Sequence, residues 1–450
     1  PRPRAEMNTM VMEAMHTTDL SYWIVVGILA VLVAVCLFGA WGYMIANGMG
    51  VAGIRRPAYW GMFIANFVFW IGISHAGTFV SAILRVFKAE FRRPFTRAAE
   101  LMTTFGLAAA GMYPLIHLGR VWVGYWILPY PNQRWLWPNF RSPLVWDMLA
   151  ITTYLLSSTI YLYLPLIPDL AMARDRSDGW RRTFYRILAL GWRGSETEWH
   201  HLRTAIQIFA FAIIPVMFSV HTIVAWDFAI SMVPGWHSTI FGPFFVAGAI
   251  FSGVSAVTMV LFLIRNTMIN MKYFIREEHF DALGKLVLIF SFTWTYFYFS
   301  EYLLEWYGGD QAGHYVLSYL TTGPVSVLWY LMLICNIAIP WLTLWNKKVR
   351  RTPWMLFAIS FLINVGMYIE RILIVPLTIN RNRFPFQWGE YFPRIELMIS
   401  VGSLALFLLL YALASRLIPL IPVWEVQEGQ IAHSLRRIGR TVVPSVSEIE

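Results

Sequence analysis

FAIIPVMFSVHTIVAW, residues 211–226, lies inside an apolar run from 204 to 232 that also holds His221 and Asp227. The run exceeds the ~20 residues that cross ~30 Å of hydrocarbon. Working outward, nine more runs of this kind occur, at 21–46, 57–84, 97–118, 143–165, 243–269, 283–306, 324–345, 354–377 and 396–418. The expected fold is therefore all-α and integral to a membrane, with ten transmembrane helices. A second stretch, FAISFLINVGMYIERI at 357–372, opens with the same Phe-Ala-Ile in the ninth run. Read as an internal repeat, the pair predicts two related four-helix bundles. Helices 2–5 (57–232) make the first and helices 6–9 (243–377) the second, flanked by helices 1 and 10.

Composition supports this class. The chain is 58% hydrophobic and only 13% charged, against roughly 25% charge in a soluble domain. The net charge of +10 is not a nucleic-acid signal, because the basic residues sit in short loops, where they set topology. Loops 85–97, 166–203, 265–282 and 346–353 hold 19 Lys and Arg, and the other five inter-helix loops hold 8. The expectation is that residues 1–20 form a cytoplasmic N-terminal segment, 21–418 a ten-helix membrane domain and 419–450 a cytoplasmic tail. The first residues show no basic-then-apolar leader. Because the chain opens on Pro1, its natural start is expected upstream. Two cysteines, Cys36 and Cys335, are too few for an iron–sulfur cluster held by this chain alone, which takes about four thiolates. No metal site is expected.

That topology gathers the ionisable residues near the outer face, and a charge at bilayer depth costs about 2.5–3.5 kcal/mol on insertion scales. His117 ends the third helix, with Arg120 beyond it, and Asp147 opens the fourth. A short crossover brings these ends near each other. A His and a carboxylate placed so are suited to accept protons. His221 and Asp227 lie in the outer part of the fifth helix, Glu301 and Glu305 at i,i+4 end the seventh, and Glu370 and Arg371 lie in the outer half of the ninth. Glu396 opens the tenth, and with Glu305 reads equally well as an interfacial cap. Glu301 and Arg371 read as an ion pair, since buried ions need partners. Glu370 and Arg371, being adjacent, are expected to point apart and seek partners on other helices.

His75, in ISHAGTF, is placed in the inner half of the second helix. It reads either as packed and hydrogen-bonded or, with Asn66 and Gln207, as part of a polar path inward. The run at 157–159 and Asn336 are further inner candidates. Bis-His haem needs two histidines at matched depth, and the spans hold only His75, His117 and His221, at least two of them at different expected depths. Loop 119–142, with Trp122, Tyr125, Trp126, Tyr130, Trp135 and Trp137, reads as a headgroup aromatic belt or as a lid for another subunit. WRRTFYRILALGW, 180–192, reads as an interfacial amphipathic helix. His200 and His201 read as solvated. A secondary transporter and a purely structural anchor compete with a redox role. Pro114, Pro165, Pro215 and Pro376 fall nearer helix ends than centres, which speaks against the broken midplane helices of transporters.

HLGR at 117–120, LPYPNQRWLWPNFRSPLVWD at 128–147, SVHTIVAWDFA at 219–229 and PGWHSTIFGPFFVAGAIFSG at 234–253 together resemble the NrfD family. This is the polysulfide-reductase type of quinone-interacting membrane subunit, and the likeness is to the branch found in bacterial alternative complex III. The resemblance spans all ten helices. It implies a multi-pass protein of the bacterial inner membrane that binds no cofactor itself and takes quinol or menaquinol as substrate near the periplasmic face. It implies partners that carry iron–sulfur clusters and haems: a periplasmic iron–sulfur protein, c-type cytochromes, and a sister membrane subunit of the same fold. His117, Arg120 and Asp147 fall on positions implicated in quinol binding, with His117 and Asp147 as proton acceptors. His75, His221, Asp227, Glu301, Glu305, Glu370 and Arg371 become candidates for a proton path.

Overall fold

The computed structural model describes residues 4–52, 60–128, 143–231, 233, 235–379, 394–432, 435–438 and 441–444. Helix α1 covers Arg4–His16. Then follow α2 (Leu20–Asn47), α3 (Met62–Val86), α4 (Thr96–His117), α5 (Pro143–Asp175) and the short α6 (Gly179–Leu188). Helices α7 (Glu196–Ala229), α8 (Phe241–Thr267) and α9 (Glu277–Tyr307) come next, with the short α10 (Gln311–Thr321) before α11 (Ser326–Thr343), α12 (Pro353–Ile379) and α13 (Arg394–Leu417). The chain closes with α14 (Val423–Ala432) and a hairpin of β1 (Leu435–Ile438) and β2 (Thr441–Pro444).

Local chemistry starts several of these helices. Asp19 accepts from the Tyr22 amide at 2.9 Å at the head of α2. Ser195 and Glu198 form a reciprocal capping box at the head of α7, which satisfies amides that a helix start leaves without partners. Glu396, from α13, accepts from the Met62 amide at 3.2 Å and caps α3; it is buried rather than an interfacial cap of its own helix. α6 is the expected amphipathic helix, with Tyr185 buried and Trp180 and Ile187 exposed.

Nine helices are long and apolar enough to cross a membrane among the described residues. α4, the third expected span, falls short on apolarity because it carries Arg97, Glu100, Thr103 and Thr104. Its 22 residues still reach about 33 Å at 1.5 Å per residue. It tolerates those polar groups because protein, not lipid, surrounds most of it. α3 packs along it so closely that a Cβ at Gly77 would collide with Thr103 Oγ1 and the Ala99 carbonyl. Small residues let membrane helices approach this way. By contrast α2 turns Leu20, Trp23, Ile24, Ile28 and Val31 outward, as a lipid-facing helix does.

α3, α4, α5 and α7 pack as one group of four, and α8, α9, α11 and α12 as another. α3 and α7 of the first meet α8 and α12 of the second, while α13 runs beside α2, α3 and α4. Successive helices alternate direction, so the four Lys- and Arg-rich loops share one end, called here the basic end. His117, Asp147, Asp227, Glu301 and Glu396 lie toward the opposite end. The chain termini, expected as flanking segments, are packed. Met7, Val11 and Met15 of α1 are buried, as are Leu420, Ile421, Val423, Trp424 and Glu425. Tyr130, Trp135 and Trp137 of the aromatic loop lie outside the described residues, as does most of loop 378–395.

Candidate functional sites along the first bundle

At the end opposite the basic loops, α5 and α7 each deliver one buried carboxyl group, and α4 ends on the half-buried His117. Asp147 is 7% exposed and Asp227 also 7%. Their carboxyl groups lie within hydrogen-bonding reach of each other. One oxygen of each, Oδ1, has no hydrogen-bond partner among the described residues, and neither has His117 Nδ1. A polar atom buried without a partner costs about 1–3 kcal/mol, so this end holds unspent capacity for a polar ligand. The expected crossover brings α4 and α5 side by side, but the group that Asp147 meets is Asp227. Arg120 is exposed at the rim, beyond His117.

A second cluster lies deeper and bridges the two bundles. His75 and His221, expected at different depths, touch with ring centroids 4.6 Å apart. The correction comes from the start of α3, at Met62 rather than 57, which leaves His75 close to the middle of Met62–Val86. The His75 ring faces two carbonyl oxygens, Ile71 O at 2.6 Å from Nδ1 and Met217 O at 2.9 Å from Nε2. A neutral ring has one N–H and donates to one of the two. Rings this close leave no room for a haem between them. His221 stacks on Phe245 at 5.0 Å, and neither of its ring nitrogens has a partner among the described residues. The Arg371 guanidinium lies over the same Phe245 ring at 3.9 Å.

Arg371 and Glu370, expected to point apart, approach each other at 3.4 Å. Trp294 Nε1 also donates to Glu370 Oε1 at 3.0 Å. The expected Glu301–Arg371 ion pair does not form. Glu301 instead accepts a hydrogen bond from Ser238 Oγ, and its Oε1 is buried without a partner among the described residues. Glu305 sits with Glu301, Trp236 and Tyr302 around a small cavity at the far end of the second bundle. Trp294, Tyr298 and Tyr302 stack in a row along α9. Gln207 faces outward and belongs to no polar path. Asn66 is engaged with Ser400 at 2.6 Å and Tyr368 at 2.8 Å, away from His75. Asn336 is buried against Met367 in the second bundle.

The basic end of the first bundle holds a third cluster, which the residue types alone did not reveal. Arg97 bonds Asp169 Oδ2 at 3.0 Å, Pro165 O at 2.8 Å and Pro419 O at 3.1 Å. Glu425 of α14 accepts from Arg85 at 2.7 Å and Arg92 at 2.8 Å. Burial alone would raise the Glu425 carboxyl, but these two guanidiniums hold it at about 2. Arg97 and Glu100 at i,i+3 near the start of an apolar run were the visible signal. It is faint, because such residues usually mark a solvated helix end.

The chain belongs to the family described as polysulphide reductase, NrfD, which matches residues 50–381. Among its relatives, a Halobacterium salinarum protein provisionally named as a dimethyl sulfoxide reductase membrane subunit is 26% identical over 88% of this chain and 90% of its own length. A selenate reductase subunit of Mesobacillus selenatarsenatis is 21% identical over 91% and 95%. The Hdr-like menaquinol oxidoreductase integral membrane subunit of Archaeoglobus fulgidus is 25% identical over 91% and 96%. The protein is thus a multi-pass membrane member of a family whose relatives are named as subunits of redox enzymes.

Proposed function

We propose that this chain is the quinol-binding membrane subunit of an electron-transfer complex, and that it oxidises quinol at the His117–Asp147–Asp227 end. The observation that carries the reading is the buried Asp147–Asp227 pair, with an oxygen of each unpartnered among the described residues, and His117 Nδ1 likewise unpartnered at the same end. Quinol oxidation yields quinone, two protons and two electrons. One proton fits the shared Asp147–Asp227 carboxyl pair and one fits His117. Arg120 at the rim meets the quinol head from the aqueous side. The electrons pass to an iron–sulfur protein docked on this end, since two cysteines on separate helices, Cys36 and Cys335, are a poor match for a cluster in this chain. The menaquinol named for one relative supports a quinol substrate. The loop charges support a periplasmic position for this end, with both termini cytoplasmic, in a bacterial inner membrane. Within the family, the branch of alternative complex III, with its sister membrane subunit and c-type cytochromes, fits the motifs best.

The test is quinol oxidation by the intact complex carrying Asp147→Asn or His117→Ala. Each removes a proton acceptor, and general acid–base groups contribute about 10²–10⁴-fold in rate. Near-normal turnover in both, with the complex assembled, would move the site elsewhere.

The bridging cluster supports a second role, in proton movement. His75 touches His221, and the Phe245 ring lies against both His221 and Arg371, which approaches Glu370; Asp227 lies beyond His221 on α7. Glu301 and Glu305 would serve a separate branch in the second bundle. In sealed vesicles, His75→Leu should lower the proton-to-electron yield more than electron transfer. An unchanged yield would make the cluster a structural polar core.

A further inference from the structure

Glu100 is the least accounted-for charge in the molecule. It is 3% exposed, and both carboxyl oxygens are buried without a hydrogen-bond partner among the described residues. The groups around it are Arg97 on its own helix, Arg85 on α3, Arg92 before α4, Tyr161 on α5 and Glu425 on α14, and Asp169 of α5 bonds Arg97. Three of these are arginines, which keep their protons in proteins. Asp169 accepts a hydrogen bond from Arg97, and Glu425 accepts from both Arg85 and Arg92. Three guanidiniums thus share two bonded carboxyl groups. Glu100 is the third carboxyl of the cluster, and it has no hydrogen bond among the described residues. A proton taken up or lost there changes the charge of the cluster by one.

The way in from the basic end is closed by the C-terminal segment. After α13 the chain turns back under the first bundle. Pro419 O accepts from Arg97, and Trp424 Nε1 donates to Pro165 O at 3.0 Å. Glu425 ties α14 to Arg85 and Arg92, its carbonyl accepts from Arg93 at 3.0 Å, and Glu428 adds Arg93 at 2.8 Å. These contacts join α14 to α3, to the turn before α4 and to α5. The same residues that pin α14 are the ones that face Glu100.

We propose that Glu100 is a proton-binding site within the basic end of the first bundle, and that α14 is the plug that separates it from water. The exchange is a simple protonation. Hydronium gives one proton to the Glu100 carboxylate and leaves water, with no other bond changed. Loosening of α14 admits water and sets the rate. The site lies at the other end of the bundle from the proposed quinol groups and does not depend on them.

Infrared difference spectroscopy of the intact complex in lipid tests both parts. Spectra taken in acidic and alkaline buffer should contain a protonated-carboxyl C=O band that Glu100→Gln removes. Transfer to deuterated water should shift that band slowly in the unaltered protein. In Glu425→Gln the shift should be faster by about 10–100-fold, the change in local opening when one charge-assisted hydrogen bond is lost. If Glu425→Gln does not assemble, Trp424→Phe removes only the bond to Pro165 O and should accelerate exchange less. The absence of any band lost in Glu100→Gln would make Glu100 a fixed counter-ion and overturn the site. A band whose exchange is unaltered in the assembled α14 variant would overturn the plug.

Discussion

The two ends of the first bundle are built from the same helices and solve the problem of buried charge in opposite ways. At the basic end Arg97, Asp169, Arg85, Arg92 and Glu425 satisfy one another directly, and Glu100 has no hydrogen bond among the described residues. At the opposite end Asp147 faces Asp227, and these two and His117 keep polar atoms without a partner among the described residues. Buried ion pairs are costly to break and add little net stability, so the first arrangement specifies how the C-terminal segment docks. The second leaves polar atoms without a partner among the described residues, and the proposed quinol site rests on them.

The largest effect should come from the unsatisfied end. Asp147→Asn and Asp227→Asn should each cost quinol turnover heavily. Because the two carboxyl groups act as one unit, the double variant should lose little more than the worse single one. Steady-state rates of all three variants measure this, and fully additive losses would mean that the two carboxylates work separately.

Next is the paired end. Asp169→Ala strands Arg97, whose side chain is 0% exposed, and removing one partner of a buried pair typically costs about 3–5 kcal/mol. Thermal stability of the purified complex should fall, with turnover per assembled complex retained. A loss of turnover at unchanged stability would erase the distinction between the ends.

The pH dependence of α14 is a smaller effect. Glu425 is held at about 2, against an ordinary value of 4.5. A depressed carboxyl stabilises the folded state fully above its unfolded value, and that contribution is lost as pH falls toward the folded one. Protease sensitivity of the C-terminal segment should therefore rise as pH drops from about 4.5 toward 2. Glu425→Gln should be sensitive already at neutral pH, with a flatter profile.

Gly248 sharpens the bridging cluster. A Cβ there would stand 3.0 Å from Met367 Cε and 3.1 Å from Arg371 Nη2. Overpacking of this kind costs about 1–3 kcal/mol, so Gly248→Ala should lower stability modestly and shift the Arg371 guanidinium on Phe245. The smallest effect belongs to Gln207→Leu. Its side chain faces outward, so stability should stay within about 0.5 kcal/mol and turnover should not change. A clear loss would restore Gln207 to a polar path.

How much of this was legible depends on whether a local pattern carried it. Hydropathy found nine long apolar helices and the alternation of their ends, because lipid acts on each segment separately. It also found α4, although α4 alone is only moderately apolar. His117, Asp147 and Asp227 were all marked as candidates, since an ionisable residue in an apolar run stands out by itself. The pairing of Asp147 with Asp227 was not marked. Nor was the contact of His75 with His221, which turned on a helix starting five residues later than the apolar run. The Glu301–Arg371 pairing failed because depth along two helices says nothing about which faces meet. Glu425 was passed over inside a supposed tail, because nothing near it in the chain announces Arg85 and Arg92.

By itself, then, the sequence determined an all-helical multi-pass membrane protein of the NrfD family, with its charged loops sorted to one end. Those properties follow from the transfer of each segment between water and lipid, which depends on composition alone. Only the tertiary structure decided which buried charges are satisfied and which are left over. That depends on helix rotation and register between segments hundreds of residues apart, where a hydrogen bond is made or lost over about an ångström.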